Sequence, residues 1–145
     1  MRQYDCKIAA VYLIFRRDGK LLLLKRINTG YEDGNYSLVA GHVDARETAA
    51  QAAVREAAEE AGVKVRLAEL RLVHVMHRLS GEQERIDFFF EVLKWSGEPV
   101  NKEPSKCGGL GWFDEARLPD NVVPCVRKAL LDARAGVIYG EYGWD

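Results

Sequence analysis

The segment between Gly41 and Val63, GHVDARETAAQAAVREAAEEAGV, constrains the fold of this chain more than any other part of the sequence. Thr48 followed by Gln51 is a capping box, which predicts that a helix begins at Thr48. Gly62 stands where a residue in the left-handed conformation would end that helix. We therefore predict one alanine-rich helix between these two signals.

Three glutamates crowd the second half of this helix: Glu56, Glu59 and Glu60. Residues three and four apart share a helix face, so Glu56 faces both of the others. Like charges so placed cost about 0.2–0.5 kcal/mol a pair, and the helix dipole disfavours anions in the last turn. A divalent cation would reverse the sign of each of these effects. The pattern favours a metal site, and a solvated acidic face is the alternative.

The spacing of the whole segment resembles the Nudix box, whose family pattern is G-x5-E-x7-R-E-U-x-E-E-x-G-U, with U a bulky aliphatic residue. Every fixed letter is met at its place, by Gly41, Glu47, Arg55, Glu56, Glu59, Glu60 and Gly62. Val63 supplies the second aliphatic position. Ala57 stands where the family prefers Ile, Leu or Val, which is a change in packing and affects no ligand.

Carboxylates without cysteine or histidine companions favour Mg²⁺, with Mn²⁺ as an alternative, over zinc. By the resemblance, the metal ligands are the carbonyl of Gly41 and the side chains of Glu56, Glu59, Glu60 and Glu103. Such an ion polarises phosphate oxygens and lowers the pKa of water, so the matching chemistry is attack of water on a diphosphate. The ready access of Gly41 to positive φ would also suit a tight loop over phosphates.

The resemblance also implies catalytic roles for Glu56, Glu59, Arg55 and Glu103. Glu56 is the leading candidate for the general base, with Glu103 as the alternative. Arg55 matches an arginine that fixes a box glutamate through charge-assisted hydrogen bonds. Glu47 matches a glutamate that braces the loop, so we expect it to act structurally or to contact the metal indirectly.

Two further stretches resemble MutT-type 8-oxo-dGTP diphosphatases of this family. Trp95 to Glu103 resembles a Gly-Glu-Pro turn followed by a lysine and a metal-binding glutamate, onto which Glu103 maps; the alternative is an ordinary loop acid. Leu118 to Asn121 resembles the place of an asparagine that hydrogen-bonds a purine edge. Asn121 would suit the N-cap of a helix equally well. Val39-Ala40-Gly41 departs from the Pro-Gly-Gly typical of these enzymes, which leaves the substrate open.

A few residues outside these motifs are candidates for contact with the substrate. Tyr36 and Tyr31 could stack on a base, although an aromatic residue near a strand is more often part of a core. Arg26 and Lys25 lie at a strand end near the expected path of the phosphates, and His42 follows the box glycine. The remaining candidates are expected to be structural: His74, His77 and the run Phe88-Phe89-Phe90.

Strand and turn signals predict an α+β fold. Strands are expected at residues 6–16, 21–27, 36–39, 63–79 with a break near 67–69, 85–95 and 110–113. A second helix is expected from about Val122 to Ala135, and the tail from Val137 onward has no predicted structure. A helix on each side of a mixed sheet agrees with the three-layer α/β/α sandwich that the Nudix resemblance implies.

The length of 145 residues suits a single domain, residues 1–145, with one core. With 21 basic and 22 acidic residues the net charge is −1, so no affinity for a nucleic-acid polymer is expected. We expect a cytoplasmic protein, because no apolar run approaches a membrane span and the N-terminus lacks a signal layout. Three scattered cysteines are expected to be reduced thiols. The oligomeric state stays open, a homodimer included.

The resemblance implies Mg²⁺-dependent hydrolysis of a diphosphate linkage in a nucleoside diphosphate derivative. The leading substrate is a (d)NTP, or an oxidised purine dNTP such as 8-oxo-dGTP, cleaved to the monophosphate and pyrophosphate. ADP-ribose, nucleotide sugars and dinucleoside polyphosphates are alternatives within this class. A non-catalytic nucleotide-sensing Nudix module is the alternative from another class, and the intact box disfavours it. A purely structural acidic protein does not explain the spacing.

Overall fold

The computed structural model describes residues 1–145. In chain order the elements are β1 (Ile8–Arg17), β2 (Lys20–Arg26), β3 (Tyr36–Ser37), β4 (Val39–His42), α1 (Ala49–Ala61), β5 (Leu70–Ser80), β6 (Gln83–Val92), β7 (Cys107–Asp114), α2 (Pro124–Arg134) and β8 (Tyr139–Tyr142). Short 3-10 turns at Leu67–Glu69 and Glu115–Arg117 precede β5 and α2. Neither helix is long and apolar enough to cross a membrane.

The strands form a mixed sheet with the order β3-β2-β1-β6-β5-β8, while β4 pairs with β1 and β7 pairs with β2. The β1–β6 and β5–β8 pairs are parallel, and the other pairs are antiparallel. β1 pairs with β2 only through Arg16 and Arg17, whereas its residues 10–13 pair with β4. β1 therefore changes partner along its length, and β4 lies at the point where the sheet divides.

Alternate residues of β1 face two different cores. Val11 and Leu13 pack in a buried cluster with the alanines of α1, and Tyr12 and Ile14 pack in a second cluster with α2. One helix thus covers each face of the sheet. The predicted three-layer α/β/α architecture and the α+β class are confirmed.

Both predicted ends of α1 are confirmed. The Thr48 hydroxyl accepts the backbone N–H of Gln51 at 3.0 Å, and the Gln51 side chain accepts that of Thr48 at 2.9 Å. Gly62 ends the helix in the left-handed conformation, with φ of 67°. Ala57 is fully buried against the sheet. Its small side chain lets the helix lie close to β1, which holds the acidic turn of α1 near β4.

The beginning of the second helix differs from the prediction. α2 begins at Pro124, and its N-cap is Val123, which makes no side-chain capping bond. Proline is suited to the first turn because its missing N–H is needed by no partner there. The Asn121 amide instead donates to the carbonyl of Gly34 at 3.0 Å. The interpretation of Asn121 as the N-cap is therefore wrong.

The tail, for which no structure was predicted, adds a strand to the sheet. β8 pairs in parallel with β5, placing Tyr139 opposite Val75. Beyond it, the indole Nε1 of Trp144 donates to the carbonyl of His77 at 2.9 Å, and the two rings lie 4.8 Å apart. The tail thus completes one edge of the sheet. The break near residues 67–69 is confirmed, and β5 begins after it, at Leu70.

Candidate active site

A cavity of about 590 Å³ opens beside β4, where the acidic turn of α1 meets the divided sheet. Its volume lies within the range of roughly 300–1,000 Å³ that is usual for small-molecule sites. The five predicted metal ligands all line it: Gly41, Glu56, Glu59, Glu60 and Glu103. The fold therefore brings the loop acid Glu103 to the same space as the helix carboxylates, across more than forty residues of sequence.

Arg55 connects the carboxylates of the box. Its guanidinium donates to Glu47 at 2.8 and 2.9 Å, to Glu56 at 2.7 Å and to Glu59 at 3.1 Å. It also donates to the backbone carbonyl of His42 at 2.9 Å. The hydrogen bonds from Arg55 hold the pKa of Glu47 down at about 2. Arg55 thus ties α1 to the loop that follows β4 and fixes the direction of the Glu56 carboxylate.

Glu56 packs directly against Gly41. The glutamate is 8 % exposed, and its burial raises the pKa of its carboxyl, opposed by the hydrogen bond from Arg55. A Cβ atom on Gly41 would lie 2.1 Å from both Cδ and Oε1 of Glu56. Gly41 is a residue of β4 and does not have a left-handed φ. The expectation that positive φ explains this glycine is therefore wrong; the space taken by Glu56 explains it.

Glu60 is a carboxylate held in a partly buried position beside two other carboxylates. Burial, and to a smaller extent the charges of Glu56 and Glu103, raise its pKa to about 8, although the backbone N–H of Ala40 donates to Oε2 at 3.0 Å. Without a cation, Glu60 holds a proton over much of the neutral range. A divalent cation would replace that proton and offset the repulsion among the carboxylates.

The donors of this cluster fit a hard divalent cation, because carboxylate and backbone carbonyl oxygens are the ligands that Mg²⁺ takes in proteins. No group of three acidic, histidine or cysteine side chains stands in ligand geometry around one point. Glu56 is hydrogen-bonded to Arg55 and Glu60 to the backbone of Ala40 instead. In this arrangement Arg55 and the backbone of Ala40 occupy carboxylate oxygens that a cation could also bind.

The raised pKa of Glu60 makes the stability of the metal-free protein depend on pH. The folded pKa of about 8 lies above the ordinary value of 4.5, so the folded state binds this proton more tightly than the unfolded state. The resulting stabilisation is complete below the lower pKa and is lost as the pH rises through the higher one. With a chelator present, we expect the Tm in scanning calorimetry to fall across this window, and Mg²⁺ to oppose the fall.

The matched control is Glu60→Gln, which removes the titrating group and keeps its shape. The Tm of that variant should fall less over the same pH range. A second control is Glu98→Gln, which alters an exposed carboxyl paired with Arg17. Its Tm should fall as much as that of the unmodified protein. Equal pH dependence in the protein and in Glu60→Gln would contradict the role given to this carboxyl.

The structure brings one of the three predicted substrate contacts to the cavity. Arg26 lines it, whereas Tyr36 and Asn121 do not. The Tyr36 ring packs against Phe113, with the ring centroids 4.9 Å apart. Tyr31 and His42 also line the cavity, whereas Lys25, His74, His77 and the residues of the phenylalanine run do not.

A buried polar cluster on the cavity wall was not predicted from the sequence. Arg78 is 4 % exposed and donates through Nε to Asp87 at 2.7 Å. Its other nitrogens lie 3.4 Å from the hydroxyls of Tyr12 and Tyr31. Arg85 of β6 pairs with Arg78 of β5 and also lines the cavity. The available signal was the two-residue spacing of His74, Met76 and Arg78, which places an arginine on the buried face of β5.

A helix-borne carboxylate cluster lies beside a cavity of nucleotide size, on a mixed sheet between two helices, and its oxygen donors suit a divalent cation. Residues 7–133 match the family model described as the NUDIX domain, and the chain belongs to this family. The fold resembles the crystal structure of a MutT NUDIX hydrolase from Burkholderia pseudomallei. The TM-score is 0.80 and the identity 29 %, over 88 % of this chain and 98 % of that one.

Two curated relatives indicate the range of activities among similar proteins. A Bacillus subtilis protein named "Putative 8-oxo-dGTP diphosphatase" is 29 % identical over 127 residues, which cover 88 % of this chain and 79 % of the relative. An NAD-capped RNA hydrolase, NudC, of Chromobacterium violaceum is 30 % identical over 121 residues, or 83 % of this chain and 43 % of that protein. The chain thus spans less than half of the second relative. It is a Nudix hydrolase acting on nucleoside diphosphate derivatives, in a family that generally uses a divalent metal such as Mg²⁺.

Proposed function

We propose that this protein cleaves a (d)NTP, or an oxidised purine dNTP such as 8-oxo-dGTP, to the nucleoside monophosphate and pyrophosphate. The observation that carries the proposal is the convergence of four carboxylates on one nucleotide-sized cavity, with Glu56 held between Arg55 and Gly41. The similarity to the Bacillus subtilis protein over most of both chains supports this substrate class.

The metal of the proposed reaction is Mg²⁺, with Mn²⁺ as an alternative. The residues that would hold it all line the cavity: Gly41, Glu56, Glu59, Glu60 and Glu103. When bound, such an ion polarises phosphate oxygens and lowers the pKa of water. Arg26 and Lys106 also line the cavity and would hold the phosphates by charge-assisted hydrogen bonds.

Glu56 is the proposed general base. Its burial raises its proton affinity above that of an exposed glutamate, which suits a group that takes a proton from water near neutral pH. Arg55 orients the carboxylate through a hydrogen bond of 2.7 Å. Glu103 is the alternative base, because it lines the same cavity from the loop before β7.

A substrate panel tests the proposal. We expect Mg²⁺-dependent release of pyrophosphate from at least one of the dNTPs or 8-oxo-dGTP, at a higher kcat/KM than cleavage of ADP-ribose, a nucleotide sugar or a dinucleoside tetraphosphate. Faster cleavage of one of these last three would replace the proposed substrate and keep the enzyme class. Tight nucleotide binding without turnover of any compound would favour the sensing module and overturn the proposal.

A further inference from the structure

We propose that Asn101 is a positioning residue, whose side chain ties the loop that carries Glu103 to the sheet and so holds that carboxylate at the metal site of α1. The inference rests on the proposed function, because it takes Glu103 as a ligand of the metal. No sequence motif assigns a role to Asn101, which stands two residues before Glu103.

Glu103 is the one carboxylate of the proposed ligand set that α1 does not carry. The three glutamates of α1 lie within two turns of one helix, so the helix itself fixes their spacing. Glu103 lies between the end of β6 at Val92 and the beginning of β7 at Cys107, outside the named helices and strands. Its side chain nevertheless lines the same cavity. A ligand on such a loop keeps its place only if neighbouring contacts hold the loop.

One anchor of this loop is the C-terminal end of α1. The backbone N–H of Lys102 donates to the carbonyl of Glu60 at 3.2 Å. The backbone N–H of Val100 donates to the carbonyl of Ala61 at 2.9 Å. Gly62 leaves room for this approach, since a Cβ atom there would lie 3.1 Å from Cγ of Lys102. Carbonyls in the last turn of a helix have no partner within it, so the loop satisfies them.

The side chain of Asn101 makes the second anchor and uses both ends of its amide. Oδ1 accepts the backbone N–H of Glu103 at 3.1 Å, and Nδ2 donates to the backbone carbonyl of Cys107 at 2.8 Å. The carbonyl of Glu103 in turn accepts the N–H groups of Lys106 at 3.0 Å and Cys107 at 2.8 Å. The turn from Glu103 to Cys107 is thus closed, and Asn101 links its two ends.

Cys107 is a fixed point for this anchor, because it is buried and is the first residue of β7. It pairs with Arg26 of β2, at a place where the register shifts between Lys25 and Arg26. Irregularities of this kind interrupt the regular ladder, and the Asn101 amide adds a hydrogen bond to the strand there. Glu103 is therefore connected to a strand by Asn101 and to the helix by the preceding residue.

An asparagine suits these two bonds because one side chain must accept from an N–H and donate to a carbonyl. A turn in which asparagine accepts the N–H two residues on is common in loops and needs only the first bond. The second bond, to Cys107, distinguishes a link to the sheet from a local turn. Serine can also close such a turn, more weakly, but is one atom shorter than asparagine and does not reach the strand. Asn101→Ser therefore separates the two roles.

Binding of Mn²⁺, followed by electron paramagnetic resonance, measures the carboxylate site without turnover. Residues that orient metal ligands typically contribute a factor of about 10–100 to metal affinity or activity. We expect Asn101→Ala to raise the Kd for Mn²⁺ by about tenfold or more, and to lower kcat by a similar factor. The matched control is Asn35→Ala. Asn35 is a half-buried asparagine that donates to Glu32 at 2.6 Å and does not line the cavity, so the Kd should not change.

A double-mutant cycle with Glu103→Gln shows whether Asn101 acts through Glu103. In that background Asn101→Ala should change the Kd for Mn²⁺ by less than about twofold, because the loop no longer presents a charged ligand. Asn101→Ser should lose as much affinity as Asn101→Ala in the unmodified background. An equal loss in both backgrounds, an unchanged Kd in Asn101→Ala, or full affinity in Asn101→Ser would overturn the inference.

The same measurements separate this inference from the proposed function. Weaker Mn²⁺ binding in Asn101→Ala, without hydrolysis of any nucleotide by the unmodified protein, would support the inference and remove only the proposed function. Unchanged Mn²⁺ affinity in Glu103→Gln would overturn the inference and leave the function to the carboxylates of α1. Should circular dichroism show that Asn101→Ala does not fold, Asn101→Ser provides the same comparison, since it can keep the local turn.

Discussion

Glu56→Gln and Glu60→Gln are each expected to lower kcat by roughly several hundred-fold or more in the presence of Mg²⁺. Each change replaces a carboxylate that lines the cavity with a neutral amide of the same shape, and removes a ligand or a base from the transition state. The loss of one such interaction costs about 3–4 kcal/mol. Steady-state kinetics on the preferred nucleotide measures the effect.

Glu60→Gln should remain folded. Glu60 holds a proton near neutral pH in the absence of a cation, so a neutral amide reproduces the state that the fold already accommodates. Glu98→Gln is the control, since Glu98 is exposed and paired with Arg17 away from the cavity. Retained activity in both variants, with Glu98→Gln also active, would contradict the assignment of the α1 carboxylates to catalysis.

Gly41→Ala is expected to have the second largest effect, a fall in kcat of about a hundredfold. The added methyl group would lie 2.1 Å from Cδ and Oε1 of Glu56, so the carboxylate must leave its position beside Arg55. A displacement of about 1 Å at a reacting group can cost a factor of about a hundred in rate. Kinetics with saturating Mg²⁺ and a circular dichroism spectrum of the variant measure rate and fold together.

The matched control is Gly109→Ala. Gly109 lies in β7 with an ordinary φ, and a Cβ there would meet nothing within 4 Å. Both substitutions replace a strand glycine with alanine, so the difference in kcat between the two variants isolates the effect of the contact with Glu56. Equal activity of the two variants would show that Glu56 does not need the space beside Gly41.

The helix of the box was predictable because its signals are local. Thr48 and Gln51 are three residues apart, Gly62 adopts its left-handed conformation within the same element, and each makes its hydrogen bonds inside or next to the helix. The order of strands and helices likewise predicted an α+β fold, and the Nudix resemblance implied its three layers. Local spacing therefore predicted α1, and the order of the elements predicted the fold class.

Features that depend on contacts distant in sequence were not predictable in the same way. Glycine is needed at position 41 because the side chain of Glu56, fifteen residues later, occupies the space of a Cβ atom there. No local sequence pattern predicts this contact. The Arg78–Asp87 pair depends on the register of β5 against β6. Asparagine is a common N-cap residue, but the Asn121 amide donates to the backbone carbonyl of Gly34, in a loop much earlier in the chain.

The most direct test of the central claim follows the products of dGTP, and of the preferred nucleotide from the panel, by ³¹P NMR with Mg²⁺ and with a chelator. The carboxylate site predicts the nucleoside monophosphate and pyrophosphate as the products with Mg²⁺, and no turnover with the chelator. Turnover that persists with the chelator would contradict a metal-dependent hydrolase centred on Glu56 and Glu60. Release of inorganic phosphate in place of pyrophosphate would contradict the proposed cleavage to the monophosphate and pyrophosphate.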